Sequence, residues 1–192
     1  STKILSHNFI ELIDASIKHL KNKKFTLLPD FITGGIADFT RYNDGKRGGK
    51  IRVRAKINIL DKTKLLISEI PYGTTTSSLI DSILKANEKG KIKIKKIDDN
   101  TSSKVEIVIY LPNGISPDKT IDALYAFTSC ETSISPLSCI IENNKPSFLG
   151  VSEILIKSTD NTLSLLKKEL EIRLKELEDQ WHNFSLERIF IE

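Results

Sequence analysis

The chain has 192 residues, 39% hydrophobic and 28% charged, with a formal net charge of +4. That length can bury a real core, but so small a surplus excludes a general polycation, so any case for nucleic-acid binding rests on where the cations sit. Two cysteines without clustered spacing exclude a disulfide framework and a zinc knuckle, and no run of about eighteen apolar residues marks a membrane span.

Residues 8–21 place Phe9, Leu12, Ile13, Ile17 and Leu20 at helical spacing behind Asn8 as N-cap. This predicts an amphipathic helix whose apolar stripe enters the core. A loop through Pro29, Gly34 and Gly35 then leads to the turns Asn43-Asp44-Gly45 and Gly48-Gly49.

Around the double glycine stand Lys46, Arg47, Lys50, Arg52, Arg54 and Lys56, with no acid between Asp44 and Asp61. From Lys50 to Leu60 the odd positions are apolar and the even ones mostly basic, which predicts one strand that packs on one face and meets anions on the other. Glycines there would let the backbone approach a ligand closely. A solvated strand face on an ordinary domain is the competing reading, since charge runs are usually surface.

Lys64 to Ile70 reads as the partner of that strand in a hairpin, ended by Pro71. A helix over Ser77 to Asn87 follows, with Leu79, Ile80, Ile83 and Leu84 facing inward. Lys89 to Ile97 alternates again and predicts a second strand with Lys91, Lys93 and Lys95 on one side, turning at Asp98-Asp99-Asn100 into a strand from Val105 to Leu111.

A helix from Pro117 to Thr128 offers Ile121, Leu124, Tyr125 and Phe127 for packing, and Ser133 to Ile141, interrupted by Pro136, reads as an edge strand. Two hairpins and a last strand with helices between them make an α+β fold, a mostly antiparallel sheet with flanking helices, over residues 1–150. From 151 to 192, Leu163, Leu166, Leu170, Leu174, Leu177, Trp181 and Phe184 form a heptad seam, with Glu169–Arg173 and Glu171–Lys175 as supporting i,i+4 pairs. An intramolecular antiparallel coil and a dimer contact fit this pattern equally.

No catalytic constellation emerges. His7, His19 and His182 lack neighbours at metal-ligand spacing, the segment Gly45 to Gly49 lacks the spacing of a phosphate loop, and Tyr42, Tyr72, Tyr110 and Tyr125 sit in no nucleophile pattern. The sequence has no Met and its start is no signal peptide, so the chain is expected to begin inside a larger gene product or to have been trimmed, and its two cysteines are expected to be reduced, structural thiols of a cytoplasmic protein.

In order, S-T-K-I-L-S-H-N-F, P-D-F-I-T-G-G, R-G-G-K-I-R-V-R-A-K, E-I-P-Y and E-L-E-I-R-L-K-E-L-E resemble the A subunit of bacterial type IIA DNA topoisomerases, topoisomerase IV more than gyrase. The resemblance spans essentially the whole chain. It implies a tower domain beside the bound duplex followed by the first arm of a coiled coil, with the winged helix and its DNA-linking tyrosine lying before Ser1.

It also implies an enzyme that changes DNA topology by double-strand passage, double-stranded DNA as partner, an A-subunit homodimer, and a B subunit supplying ATP hydrolysis and Mg. The chain itself is expected to need no cofactor and to cleave nothing alone. Ile4 matches the family's wedge isoleucine, which unstacks base pairs and bends the duplex, although Leu5 and Ser6 replace two prolines. Arg41, Lys46, Arg47, Lys50, Arg52 and Arg54 become the expected phosphate contacts, which position without reading sequence.

Overall fold

A computed structural model describes residues 2–191; Ser1, which opens the wedge motif, and Glu192, which closes the coiled-coil segment, lie outside the described residues. In chain order the elements are α1 (Phe9–Leu20), β1 (Ile36–Arg41), a 3-10 turn (Asn43–Gly45), β2 (Lys50–Arg54), β3 (Lys56–Asp61) and β4 (Lys64–Glu69). Then come α2 (Thr76–Glu88), β5 (Lys96–Asp99), β6 (Ile107–Tyr110), α3 (Pro117–Phe127), β7 (Glu131–Ile134), β8 (Ile140–Glu142), β9 (Lys145–Ser147) and α4 (Val151–Ile191). The strands form three antiparallel sheets, β1-β2-β7, β3-β4-β6-β5 and the hairpin β8-β9.

The α+β class expected from the sequence holds, but its single sheet is replaced by these three. The cause lies at Ala55. Its N–H donates to the Cys130 carbonyl and its own carbonyl accepts the Tyr125 hydroxyl, each at 2.8 Å. Those bonds end the β2 ladder and deliver the chain into β3, so the strand expected over 50–60 is two strands in different sheets. The alternation survives the switch only in part: Ile51, Val53 and Ala55 are fully buried while Ile59 is exposed.

Each larger sheet covers its own core. Leu65, Ile67, Ile107 and Ile109 pack against Leu79 and Ile83 of α2 and Leu124 of α3. Beneath β2, Ile51 and Val53 pack with Leu5, Phe31, Tyr42 and Ile134. Burial at about 25 cal/mol per Å² of apolar surface is the main force fixing both. Leu84 and Phe127, expected inside, are exposed.

Two further expectations fail for hydrogen-bonding reasons. Residues 36–41 form β1 rather than a loop, because they pair with β2 in register Ile36↔Arg54 to Asp38↔Arg52. Residues 89–95 form no strand. At the end of α2, Lys91 N–H returns to the Ala86 carbonyl at 3.0 Å with Gly90 at φ +68, and the Asn87 side chain accepts the Ile94 N–H at 2.9 Å. Those groups are spent before a ladder can form, and the chain pairs only from Lys96, with Asp98 and Asp99 inside β5 rather than in the turn. Likewise the edge strand expected over 133–141 stops at Ile134 before Pro136, as β7 at the edge of its sheet, Leu137 bridges to Lys3, and only Ile140 and Ile141 join the β8-β9 hairpin.

Asn8 caps α1 by accepting the N–H groups of Ile10 and Glu11. Its stripe enters the core only in part: Phe9 is 73% and Leu20 51% exposed, while Leu12 and buried Ala15 pack with Phe25, Leu27 and, from α4, Val151 and Leu155. Beside that cluster the helix also meets α4 through polar groups, with Ser16 and Thr159 hydroxyls 3.1 Å apart and His19 Nε2 2.8 Å from Asp160. Beyond Asp160 the seam of α4, from Leu163 to Phe184, lies exposed, and Arg173 closes on Glu176 rather than on Glu169.

Candidate nucleic-acid interface

The alternation of β2 turns Lys50, Arg52 and Arg54 outward, opposite buried Ile51 and Val53. Pairing then decides what each cation faces. Asp38 of β1 stands across from Arg52, and Glu131 of β7 across from Arg54. Arg52 Nη2 donates to Asp38 Oδ2 at 2.7 Å, and Arg54 Nε donates to Glu131 Oε2 while its guanidinium lies 4.8 Å from the Tyr125 ring centre. Lys46 reaches Glu153 of α4 at 2.8 Å, and Lys56 reaches Glu69 at 3.1 Å.

The expected phosphate contacts therefore divide into two groups. Lys46, Arg52 and Arg54 each hold a carboxylate. Arg41, Arg47 and Lys50 have no such partner among the described residues. These three gather at one end of the β1-β2 hairpin: Arg41 and Lys50 are opposite in register, and Arg47 sits on the connecting turn. A cleft of about 290 Å³ there is lined by Asp38, Thr40, Arg41, Lys50 and Arg52. Hydrogen bonds from Arg52 and from the Thr40 backbone and hydroxyl hold the Asp38 carboxyl well below the usual carboxylate range.

The turn is fixed from beneath. A Cβ on Gly49 would lie 2.2 Å from the Tyr42 carbonyl oxygen, and Gly48 takes φ +89. The double glycine thus serves the chain's own tight turn, with open space beside Gly48. Asp44 on the same turn accepts the Ser152 N–H at 3.2 Å and its hydroxyl at 2.9 Å, capping the start of α4. Gly150 is needed there because a Cβ would sit 2.2 Å from Asp44 Oδ2. Glu153, drawn below the ordinary glutamate range by Lys46 and the Gly150 N–H, completes the joint.

Ile4 is held on both sides. Lys3 forms a two-way backbone bridge with Leu137, at 2.7 and 3.1 Å, and Leu5 is buried in the core beneath β2. Between them Ile4 is 44% exposed.

The titratable side chains elsewhere have structural settings. His7 Nδ1–H donates to the Leu5 carbonyl at 2.9 Å, leaving Nε2 to accept the Tyr42 hydroxyl at 3.4 Å, and burial lowers its pKa. Burial pushes Tyr42 up to about 12 and the Cys130 thiol up to about 11. Tyr72 lies 4.7 Å from the Phe31 ring centre. Among the described residues no three metal-ligating side chains converge.

Sequence reasoning missed the carboxylates that occupy half of the basic group. Asp38, Glu131 and Glu153 lie 14, 77 and 107 residues from the cations they hold. Only for Asp38 was a local signal present, had A-D-F-T-R been read as a strand beside β2.

The family model for the A subunit of DNA gyrase/topoisomerase IV matches residues 1–191. The DNA topoisomerase 4 A subunit of Borreliella burgdorferi is 38% identical over 191 residues, covering 100% of this chain and 30% of the relative. The DNA gyrase A subunit of Lawsonia intracellularis is 30% identical over 201 residues, covering 95% of this chain and 24% of the relative. A chloroplastic/mitochondrial DNA gyrase A subunit of Nicotiana benthamiana is 30% identical over 203 residues, covering 95% of this chain and 22% of that protein. The chain thus spans under a third of the length of the curated relatives it matches.

Proposed function

The chain belongs to the A-subunit family of DNA gyrase and topoisomerase IV, and on that premise we propose that it is the duplex-flanking and coil-bearing part of a type IIA topoisomerase A subunit. The observation that carries this reading is the trio Arg41, Arg47 and Lys50, uncompensated and gathered around a turn that the fold holds rigid. Guanidinium and ammonium groups without carboxylate partners are free to replace the counterions of a phosphate backbone. Contacts of this kind hold a duplex in place without reading its bases.

Ile4, exposed between two pinned neighbours, serves as the wedge in this reading, its stiffness coming from the Lys3–Leu137 bridge instead of from prolines. The higher identity to a topoisomerase 4 A subunit than to the gyrase relatives favours a topoisomerase IV-type parent, which relaxes and decatenates DNA in the cytoplasm. That parent works as an A-subunit dimer with a B subunit that brings ATP hydrolysis and Mg. Strand cleavage belongs to residues other than the four tyrosines here; a detergent-trapped DNA adduct on any of them overturns that assignment.

Fluorescence anisotropy with a labelled duplex across a salt series tests the trio. Replacing Arg41, Arg47 and Lys50 by Ala lowers affinity and reduces the slope of log K against log salt by about 2–3, at about 0.9 for each phosphate no longer neutralised. An unchanged slope leaves the trio a solvated face.

The exposed seam of α4 favours a second role beside the first. Leu163, Leu170, Leu174 and Trp181 are each more than half exposed, a stripe that requires a helical partner. In this reading the partner is a returning helix of the same polypeptide or a second copy of it.

A further inference from the structure

Away from β2 the chain carries a second basic surface. Between Lys85 and Lys95 there are five lysines against the single Glu88, a surplus of four that equals the formal net charge of the whole chain. Lys85, Lys89, Lys91, Lys93 and Lys95 are on the surface, and none holds a carboxylate among the described residues. Lys91 lies over the exposed ring of Phe127, at 5.4 Å, which orients a cation without neutralising it.

The segment is irregular but not slack. Its backbone is tied at Lys91 to Ala86, at Ile94 to the Asn87 side chain, and at Lys95 to the Tyr110 carbonyl at 2.8 Å, with Ile92 buried beneath. The lysines therefore project from a surface already ordered, and binding an anion costs little further backbone entropy. Its place in the fold separates it from the first group. The segment runs into β5, the edge of its sheet, whereas β2 continues into β3 at the opposite edge. The trio belongs to the β1-β2 hairpin of another sheet, so the two groups are carried by different elements of the fold.

We infer that residues 85–95 form a second duplex-backbone site, which grips the same DNA beyond the segment held by Arg41, Arg47 and Lys50. The inference rests on the duplex-flanking reading above. A duplex fits better than an acidic peptide because the lysines offer a row of point charges with no Arg fork among them to seat a carboxylate.

The test uses the chain with Lys89, Lys91, Lys93 and Lys95 changed to Ala, beside the Arg41/Arg47/Lys50 triple variant, on duplexes of roughly 12 and 36 base pairs across salt, about one and three helical turns. The quadruple variant is expected to lose about tenfold or more in affinity for the long duplex at moderate salt, its slope falling by about 3–4, and to lose the wild-type preference for the long duplex. Changing the same lysines to Arg restores both, which separates charge from fold.

If the quadruple variant keeps the wild-type slope and length preference while the triple variant loses affinity, this inference fails and the first site stands. If only the quadruple variant loses affinity, the second site stands and the trio fails. Loss of poly-glutamate binding with duplex binding intact would make the segment a docking point for an acidic protein and overturn the inference.

Discussion

The segments K-I-R-V-R at 50–54 and K-I-K-I-K at 91–95 share one pattern, yet the fold uses them oppositely. The first becomes a central strand flanked by β1 and β7, whose outward positions supply Asp38 and Glu131. The second is held off any ladder by the exit of α2 and the Asn87 clamp, and no neighbouring strand among the described residues offers it a carboxylate. Cross-strand neighbours, not the density of positive residues, decide whether a cation is available to a ligand. A basic strand in the middle of a sheet is the place where such residues are most readily neutralised.

The larger effect that sharpens this contrast concerns what lies beneath each segment. Tyr42, buried under the first, is pushed up to about 12, while the core cluster that holds Ile92 buries the Cys130 thiol, pushed up to about 11. The folded chain thus keeps the Tyr42 proton between about pH 10 and 12, whereas the unfolded chain has lost it. Stability falls as pH rises through that window, by about 2–3 kcal/mol at 1.36 kcal/mol per unit. Urea unfolding at about pH 9 and pH 11.5, on either side of the ordinary tyrosine range, should reveal the fall, and Tyr42→Phe should remove the Tyr42 share while leaving that of the buried Cys130 thiol, raised to about 11. An equal fall in the Phe variant would mean that the tyrosine is not the source.

A smaller effect would erase part of the contrast. Asp38→Asn frees Arg52 beside Arg41 and Lys50, extending the uncompensated trio to four. Duplex affinity is expected to rise several-fold with the salt slope steeper by about 0.9. No rise would mean that Arg52 does not face the duplex. Because the Asp38 carboxyl is held low by Arg52, the native pair persists at every pH above the ordinary aspartate range and weakens only in strong acid.

Much of the fold was legible where a local pattern and a local signal coincide. Asn8 marks the start of α1, Pro117 opens α3, and Pro71 follows β4, because caps and breakers act through their own backbone. The switch at Ala55 was not legible, since apolar alternation runs on through it while hydrogen bonds with Cys130 and Tyr125, distant in sequence, redirect the chain. The cations of the candidate site could be named from sequence, but not which of them are free. That depends on Glu131 and Glu153, which only the folded chain brings near.

The capping of α4 by Asp44 has a mechanical meaning. The turn that carries Arg47 is welded to the root of a 41-residue helix, about 60 Å long at 1.5 Å per residue. A tilt of roughly 5° at that root sweeps the far end through about 5 Å, by the same helical rise. A displacement of the turn is then delivered, magnified, at the remote tip, and motion at the tip returns to the turn as torque.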